Sequence, residues 1–260
     1  METVLMDWPL VTPVLAAALL AWSLLERRAP DAGPRLRDPT FLLPLVWPMY
    51  LLHQFEEHGF DAHGERYAFL GSLCHGLGYA GVDGCPADEA FIFAVNVIAC
   101  PLAFLLPYAF RRTRPLLAAV SWGVPLVNAV AHIANAAREG QYNPGVVTSV
   151  LLFLPLSLWL LRVLLVRRLL RPVDVGVVVG SGVALHAILL GSVQLRAHDV
   201  IGSAGLFIVN ALNGFVPLAV GWWPSRPSSS LSPSSPSSPS SSSPSSPSSP
   251  LLSSSLPSST

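Results

Sequence analysis

The chain has 260 residues, no net formal charge and 52% hydrophobic residues. Its mean hydropathy of +0.54 includes a Ser/Pro-rich tail from residue 224 onward, so the remainder is more apolar than a soluble domain. A net charge of zero argues against nucleic acid as a partner. The composition predicts an all-α protein, a polytopic transmembrane helical bundle whose partner is the lipid bilayer.

Seven apolar segments are long enough to cross a bilayer, which takes about 20 residues. They are predicted at residues 8–25, 40–57, 89–110, 115–137, 146–166, 173–195 and 201–223. We predict residues 1–223 as a transmembrane domain. Residues 224–260 are predicted to be a disordered tail, because a Ser/Pro sequence cannot bury enough apolar surface to fold.

Arginine supplies all of the basic side chains, and it is concentrated in alternate loops. By the positive-inside rule, the loops after the first, third and fifth segments are cytoplasmic. Their arginines are Arg27, Arg28, Arg35, Arg37, Arg111, Arg112, Arg114, Arg167, Arg168 and Arg171. The N-terminus is then extracytoplasmic or lumenal, and the tail is cytoplasmic.

Two of the three cysteines, Cys74 and Cys85, lie in the long polar loop between the second and third segments. A disulfide between them is one interpretation, but isolated thiols are the favoured prediction. The chain has no C-x-x-C pair, so no cysteine metal site is expected.

The second segment ends in the sequence His53-Gln54-Phe55-Glu56-Glu57-His58. Carboxylates and imidazoles are costly at a membrane boundary, which makes the stretch a candidate functional site. His53, Glu56 and Glu57 are spaced i, i+3 and i+4 and share one helix face. His58 points about 140° away from His53 on an ideal helix, and is expected to face the loop or cap the helix end.

Polar residues of other segments reach the same depth under this topology. They are Asn96, Asn128, His132, Asn135, His186, Asn210 and Asn213. Asn128, His132 and Asn135 again share one helix face. The shared layer predicts a metal-centred site near the extracytoplasmic face.

Imidazoles and carboxylates are ligands for a divalent transition metal, here zinc or iron. The candidate ligands are His53, Glu56, His132 and His186. The candidate catalytic groups are Glu57, Glu56 and Asn128, with one glutamate as general base and the other as ligand. The candidates for substrate binding or gating are Tyr142, Asn96 and Arg138.

Each assignment has a purely structural alternative. The glutamate stretch would then be a hydrated helix end, and His132 and His186 would be hydrogen-bonded residues of the bundle. The asparagines would be contacts between helices. Arg138 would pair with Glu139 or with headgroups, and Tyr142 would be an interfacial anchor.

Three motifs follow one another in a recognisable order: His53-Gln54-Phe55-Glu56-Glu57, then Asn128 with His132, then the Y-x-P-G-x-x-T segment at residues 142–148. In these motifs the chain resembles the HXXEE-motif family of predicted integral membrane proteins, over roughly residues 40–195. The family is of unknown function, with its polar residues taken as a hint of enzymatic activity. The resemblance therefore implies a site but no reaction.

The predicted function is a metal-dependent integral membrane enzyme that acts on a lipid or other amphiphilic small molecule, with hydrolysis ahead of other reactions. The first alternative is a transporter or proton-coupled carrier, in which buried carboxylates and imidazoles relay ions. Against it, the chain shows no inverted repeat. The second alternative is a non-catalytic membrane scaffold.

Overall fold

The computed structural model describes residues 7–27 and 33–222. Within these residues the chain is helical, with one isolated bridge between Phe60 and Arg66. Eight helices of two turns or more follow in this part of the chain: α1 (Trp8–Leu25), α2 (residues 39–59), α3 (Ala68–Gly76), α4 (Glu89–Phe110), α5 (Pro115–Glu139), α6 (Val146–Val166), α7 (Pro172–Ala197) and α8 (Ser203–Trp222). The predicted tail, residues 224–260, lies outside the described residues.

Six of the described helices are long and apolar enough to cross a membrane, namely all but α2 and α3. Their ends agree with the predicted segments to within two residues. The helix α2 covers the remaining predicted segment, but the polar residues near its C-terminal end lower its mean hydropathy. The protein is therefore an all-α multi-pass membrane protein with six clear spans and one further helix that carries the glutamates.

Local chemistry explains where these helices begin. The Asp38 carboxylate accepts a hydrogen bond from the Thr40 backbone N–H at 2.9 Å and caps α2. The Asp88 carboxylate accepts from the Phe91 backbone N–H at 2.7 Å and caps α4 in the same way. Helices α5 and α7 each begin with a proline, which has no N–H to leave unpaired at that position.

Hydrogen bonds to backbone carbonyls join α2, α4 and α5. Pro107 has no N–H, so the Ala103 carbonyl of α4 lacks its helical donor, and Ser121 of α5 donates to that oxygen at 2.6 Å. The indole of Trp122 donates to the Leu43 carbonyl of α2 at 2.9 Å. Such pairing is needed because a membrane interior offers no water to a free carbonyl.

The helix α5 is central in the bundle and α1 is peripheral. In α5, 67% of the most apolar 18-residue stretch is buried, whereas in α1 the corresponding share is 22%. Helices α5 and α7 cross at Gly123 and Gly182, where a Cβ on either glycine would lie 2.0 Å from a carbonyl oxygen of the opposite helix. Glycine at both positions is what allows this close crossing.

The loop between α2 and α4 contains α3 and a disulfide bond between Cys74 and Cys85. The prediction of isolated thiols is wrong for these two residues, whereas Cys100 is a free, buried thiol. The chain reverses after α3 at Gly78, which has a φ of 91°. This turn brings the two Cα atoms to 5.8 Å, a separation that a disulfide spans.

Candidate metal centre

Glu57, near the C-terminal end of α2, lies among three histidines. Its Oε1 is 2.9 Å from Nε2 of His132, and its Oε2 is 3.3 Å from Nε2 of His53 and 3.7 Å from Nε2 of His58. All four side chains are buried. A carboxylate buried among imidazoles in a membrane bundle is expensive, which marks the place as a functional-site candidate.

The last turn of α2, Phe55–Gly59, is a π-helix. This wider turn brings His58 to the same carboxylate as His53, which an ideal α-helix would not do. The prediction that His58 faces the loop is correct in part: its ring lies 5.2 Å from that of Phe69 in the loop between α2 and α4, while its Nε2 approaches Glu57. Its side chain is fully buried, with its ring 5.6 Å from that of Trp8 and hydrogen-bonded within the bundle.

Two further π-helical segments border the same cluster, Ala94–Ala99 in α4 and Ser149–Phe153 in α6. The first contains Asn96, whose amide nitrogen lies 3.3 Å from Nε2 of His58. The second ends at Phe153, whose ring is 4.3 Å from that of His53. Such local widening is frequent at functional sites, because it redirects side chains without breaking the helix.

Asn143 sets the tautomer that we assign to His132. The Asn143 amide nitrogen donates to the His132 backbone carbonyl at 3.0 Å, which turns its Oδ1 toward Nδ1 of the ring at 2.7 Å. Because Oδ1 can only accept, Nδ1 carries the proton. This leaves Nε2, 2.9 Å from Oε1 of Glu57, as the ring nitrogen that faces the carboxylate.

Thr148 plays the corresponding part for His53. Its hydroxyl donates to Oε2 of Glu56 at 2.5 Å and lies 2.7 Å from Nδ1 of His53. The hydroxyl oxygen therefore accepts the Nδ1 proton, and Nε2 presents its lone pair to Glu57. Hydrogen bonds of this kind behind an imidazole are usual where histidine binds a metal.

The Glu56 carboxylate is held at the start of α6. It accepts from the backbone N–H groups of Val147 at 3.0 Å and Thr148 at 2.8 Å, and from the Tyr142 hydroxyl at 3.1 Å. The helix dipole favours a negative charge there. Burial raises the pKa of Tyr142 above its ordinary value, so its phenol stays protonated and donates. The sequence prediction placed Glu56 among the ligands, but the structure brings Glu57 to the histidines instead.

Gly145 packs directly against the cluster. Its φ is 96°, and a Cβ at this position would lie 2.7 Å from Cε1 of His132, 2.8 Å from Cε1 of His53 and 2.9 Å from Cγ of Glu57. Contacts below 3.0 Å require displacement of the ring or the carboxylate. The segment between α5 and α6 thus orients the histidines and also limits the space between them.

The arrangement fits a divalent transition metal. One atom from each of His53, Glu57 and His132 lies within 4.8 Å of the others. Zinc bonds of about 2.0–2.1 Å place tetrahedral ligand atoms about 3.3 Å apart, and the Nε2 atoms of His132 and His53 lie 2.9 and 3.3 Å from the two different oxygens of Glu57. Within the described residues, Nε2 of His53 and Oε1 of Glu57 lack a well-directed hydrogen bond, although buried polar atoms normally have one.

A cavity of about 430 Å³ lies against this cluster, and Glu57 and His132 form part of its wall. Four other predicted site residues line it, namely Asn96, Asn128, Arg138 and His186. The Oδ1 atom of Asn128 is buried with no hydrogen-bond partner in the described part of the chain. It is therefore available to a donor on a bound molecule.

The structure separates several predicted site residues from the cluster. His186 bonds through Nδ1 to the Gly182 carbonyl of its own helix at 2.8 Å. Arg138 contacts Glu139 at 2.9 Å. The Tyr142 hydroxyl accepts from the Ala62 backbone N–H at 3.0 Å, in addition to donating to Glu56.

Asn210 and Asn213 link α8 to α7. The Asn210 amide nitrogen donates to the Ser192 hydroxyl at 2.8 Å, and that of Asn213 donates to the Leu185 carbonyl at 2.9 Å. These are contacts between helices, the alternative considered for the asparagines of the bundle.

Sequence reasoning missed four residues that hold the cluster together. Asn143, Gly145 and Thr148 lie within the Y-x-P-G-x-x-T segment, whose pattern pointed to a turn but not to its contacts with histidine. Gln54 donates to Oε2 of Glu57 at 3.0 Å. The sequence offered one signal for the role of Gln54, namely that it directly follows His53 in the motif.

Residues 44–160 match a family model described as a protein of unknown function with HXXEE motif. The match runs from α2 into α6, and includes His53, Glu57 and His132 together with the segment that orients them. No curated protein and no solved structure matches the chain. Residues 44–160 of the chain are thus similar to the HXXEE family of unknown function.

Proposed function

We propose that the protein is a metal-dependent membrane enzyme that hydrolyses an amphiphilic substrate, with His53, Glu57 and His132 as metal ligands. One observation carries the proposal. Both histidines use Nδ1 for a hydrogen bond to a neighbouring side chain and turn Nε2 toward the same buried carboxylate. Hydrogen bonds at both Nδ1 atoms leave the two Nε2 atoms to bind one ion beside the carboxylate, which is the usual arrangement of histidine at a metal site.

A divalent ion held at such a site lowers the pKa of water and polarises a carbonyl group. The carboxylate of Glu57 has one oxygen toward each histidine, so one can bind the ion and the other can accept a proton. Glu56 is occupied by its donors from α6 and acts as a positioning residue. Asn128 and His186 face the cavity and contact the substrate.

Metal content tests this proposal directly. We expect purified protein to hold about one zinc or iron ion per chain, and the His132→Ala variant to hold less than about a tenth of that, because a three-residue site loses its affinity with one ligand. The measurement is elemental analysis by mass spectrometry. The matched control is His186→Ala, which removes a histidine of the same cavity that lies outside the cluster.

Equal metal content in His132→Ala and His186→Ala would contradict the assigned ligands. A metal-free protein that instead carries protons across proteoliposome membranes would support the carrier alternative.

We also propose that the loop between α2 and α4 is extracytoplasmic or lumenal. Two independent features support this side. The arginine-rich loops alternate with it, and it contains the Cys74–Cys85 disulfide, which persists in oxidising compartments. The N-terminus would then lie on the outer side and the tail in the cytoplasm.

Single cysteines in exposed loops test the orientation. We expect a membrane-impermeant maleimide to label Glu65→Cys in intact cells, but to label Thr113→Cys only after lysis, because these residues flank opposite ends of spans. The native chain has no competing accessible thiol, since Cys100 is buried and the other two cysteines are bonded. The reverse labelling pattern would place this loop in the cytoplasm.

A further inference from the structure

The cavity beside the metal centre combines an apolar inner part with one polar wall, and it has openings of two different kinds. We propose that it binds a single-chain amphiphile with an anionic headgroup, which enters from the bilayer between α5 and α7. The inference deepens the proposed function and rests on it, because the amphiphile would be the substrate of that site.

The inner part of the cavity is built for a hydrocarbon chain. Its walls include Ile92 and Val95 of α4, Val124 of α5 and Leu185 of α7. All four are buried. A volume of about 430 Å³ falls in the usual range for small-molecule sites, about 300–1,000 Å³. An extended single chain suits such a space better than the two chains of a bilayer lipid.

The polar wall is one face of α5. Asn128, His132, Asn135 and Arg138 line the cavity at intervals of three or four residues. At 1.5 Å per residue, Arg138 lies about 9 Å along the helix from His132. A headgroup at Arg138 would therefore leave the first few bonds of its chain beside the metal centre.

Among the residues that line the cavity, Arg138 is the one arginine, and it supplies a positive charge. Asn135 accepts from its guanidinium at 2.9 Å, so the neighbouring cavity residue holds the charge in place. Glu139 also contacts the guanidinium, at 2.9 Å, and half of that carboxylate's side chain is exposed. Guanidinium has further N–H donors in a fork that suits a carboxylate or phosphate group.

The openings match the two ends of such a molecule. Ala131 and Leu190 line the cavity and are exposed, and both lie within membrane-spanning helices, so this opening faces lipid. Gly76 and Arg138 line the cavity at a second exposed edge, beside the loop. Between these edges α3 covers the cavity with Phe69 and Leu73, and the Cys74–Cys85 disulfide ties this cover to the loop.

Binding to metal-stripped protein tests the inference without requiring activity. The probes are a fluorescent polyene C18 fatty acid and the corresponding alcohol, added to chelator-treated protein in detergent micelles. We expect the acid to bind, and Arg138→Gln to weaken acid binding about fivefold while leaving alcohol binding unchanged, because an exposed ion pair contributes a modest attraction. The matched control is Arg162→Gln, an exposed arginine of α6 that is not part of the cavity wall.

A second pair of variants tests the opening toward lipid. Ala131→Trp should lower binding of both probes at least about tenfold by filling that opening, whereas Ala134→Trp should not. Both alanines are exposed on α5, so neither substitution has to be accommodated in the core, but only the first lines the cavity.

Acid and alcohol binding that respond alike to Arg138→Gln would overturn the anionic headgroup. Equal binding to the two tryptophan variants would contradict entry from the bilayer between α5 and α7. Failure of both probes to bind the native chain would contradict the proposal that the cavity binds an amphiphile. Metal content, measured separately on untreated protein, keeps the two proposals apart. A protein that holds metal but binds neither probe contradicts this inference alone, and a protein that binds the acid but holds no metal contradicts the proposed metal centre alone.

Discussion

Gly145→Ala is expected to remove metal binding and to lower the stability of the protein together. The added Cβ would lie less than 3.0 Å from His53, Glu57 and His132 at once, so the ligands cannot keep their positions. The φ of 96° adds strain of about 1–3 kcal/mol for any residue with a Cβ. We expect at least tenfold weaker metal binding, measured by titration of metal-stripped protein, and a lower thermal unfolding midpoint.

Gly140→Ala is the matched control for this effect. Gly140 also has a positive φ, of 64°, but a Cβ there would meet no atom within 4 Å in the described structure. It therefore carries backbone strain without a steric contact. If Gly140→Ala weakened metal binding as much as Gly145→Ala, the effect would come from the loop backbone and not from contact with the ligands.

Glu56→Gln is expected to cost about 2–3 kcal/mol of unfolding free energy, although it removes only a charge. The carboxylate accepts from two backbone N–H groups at the start of α6 and from two hydroxyls. An amide group can accept through one atom only, so at least one buried donor loses its partner and meets another donor. Unfolding of the purified variant, followed by intrinsic fluorescence during heating, measures the loss.

The same substitution should weaken metal binding by about tenfold to a hundredfold, because Glu56 holds the Thr148 hydroxyl that orients His53. Thr148→Ser should retain the hydroxyl that bonds both Glu56 and His53, and Thr148→Val should lose it. This pair of variants tests the positioning of His53 at a second residue. The control is Glu139→Gln, an exposed carboxylate for which a change below about 0.5 kcal/mol is expected. Native metal affinity in both Glu56→Gln and Thr148→Val would show that His53 needs no positioning.

The glutamate pair illustrates how far local pattern carries a site prediction. On an ideal helix, Glu56 and Glu57 both share a face with His53, so spacing alone offers either as a ligand. Two features outside that spacing decide between them: the π-helical turn at Phe55–Gly59 and the N-terminus of α6, which takes up Glu56. The same π-helical turn brings His58 toward Glu57, which regular α-helical rotation does not predict.

The cysteines show a different limit. Cys74 and Cys85 are separated by a turn whose reversal depends on backbone angles at glycine, and no pattern in the sequence reports those angles. The depth of polar residues in the membrane was easier to predict from the sequence. The predicted layer included His53 and His132, which the structure brings together. It also included His186, Asn210 and Asn213, which instead bond within or between α7 and α8.

The amino-acid sequence by itself determined the all-α class, the ends of the six spans to within two residues and the polar stretch at the C-terminal end of α2. These follow from the bilayer, which requires about 20 apolar residues per span and penalises each buried charge. The tertiary structure decided which charged groups meet. Selecting Glu57 over Glu56, orienting His53 and His132 through Thr148 and Asn143, and leaving room only for glycine at residue 145 all depend on contacts between α2, α5 and the start of α6. Such contacts join residues that are far apart along the chain, so neither periodicity nor hydropathy records them.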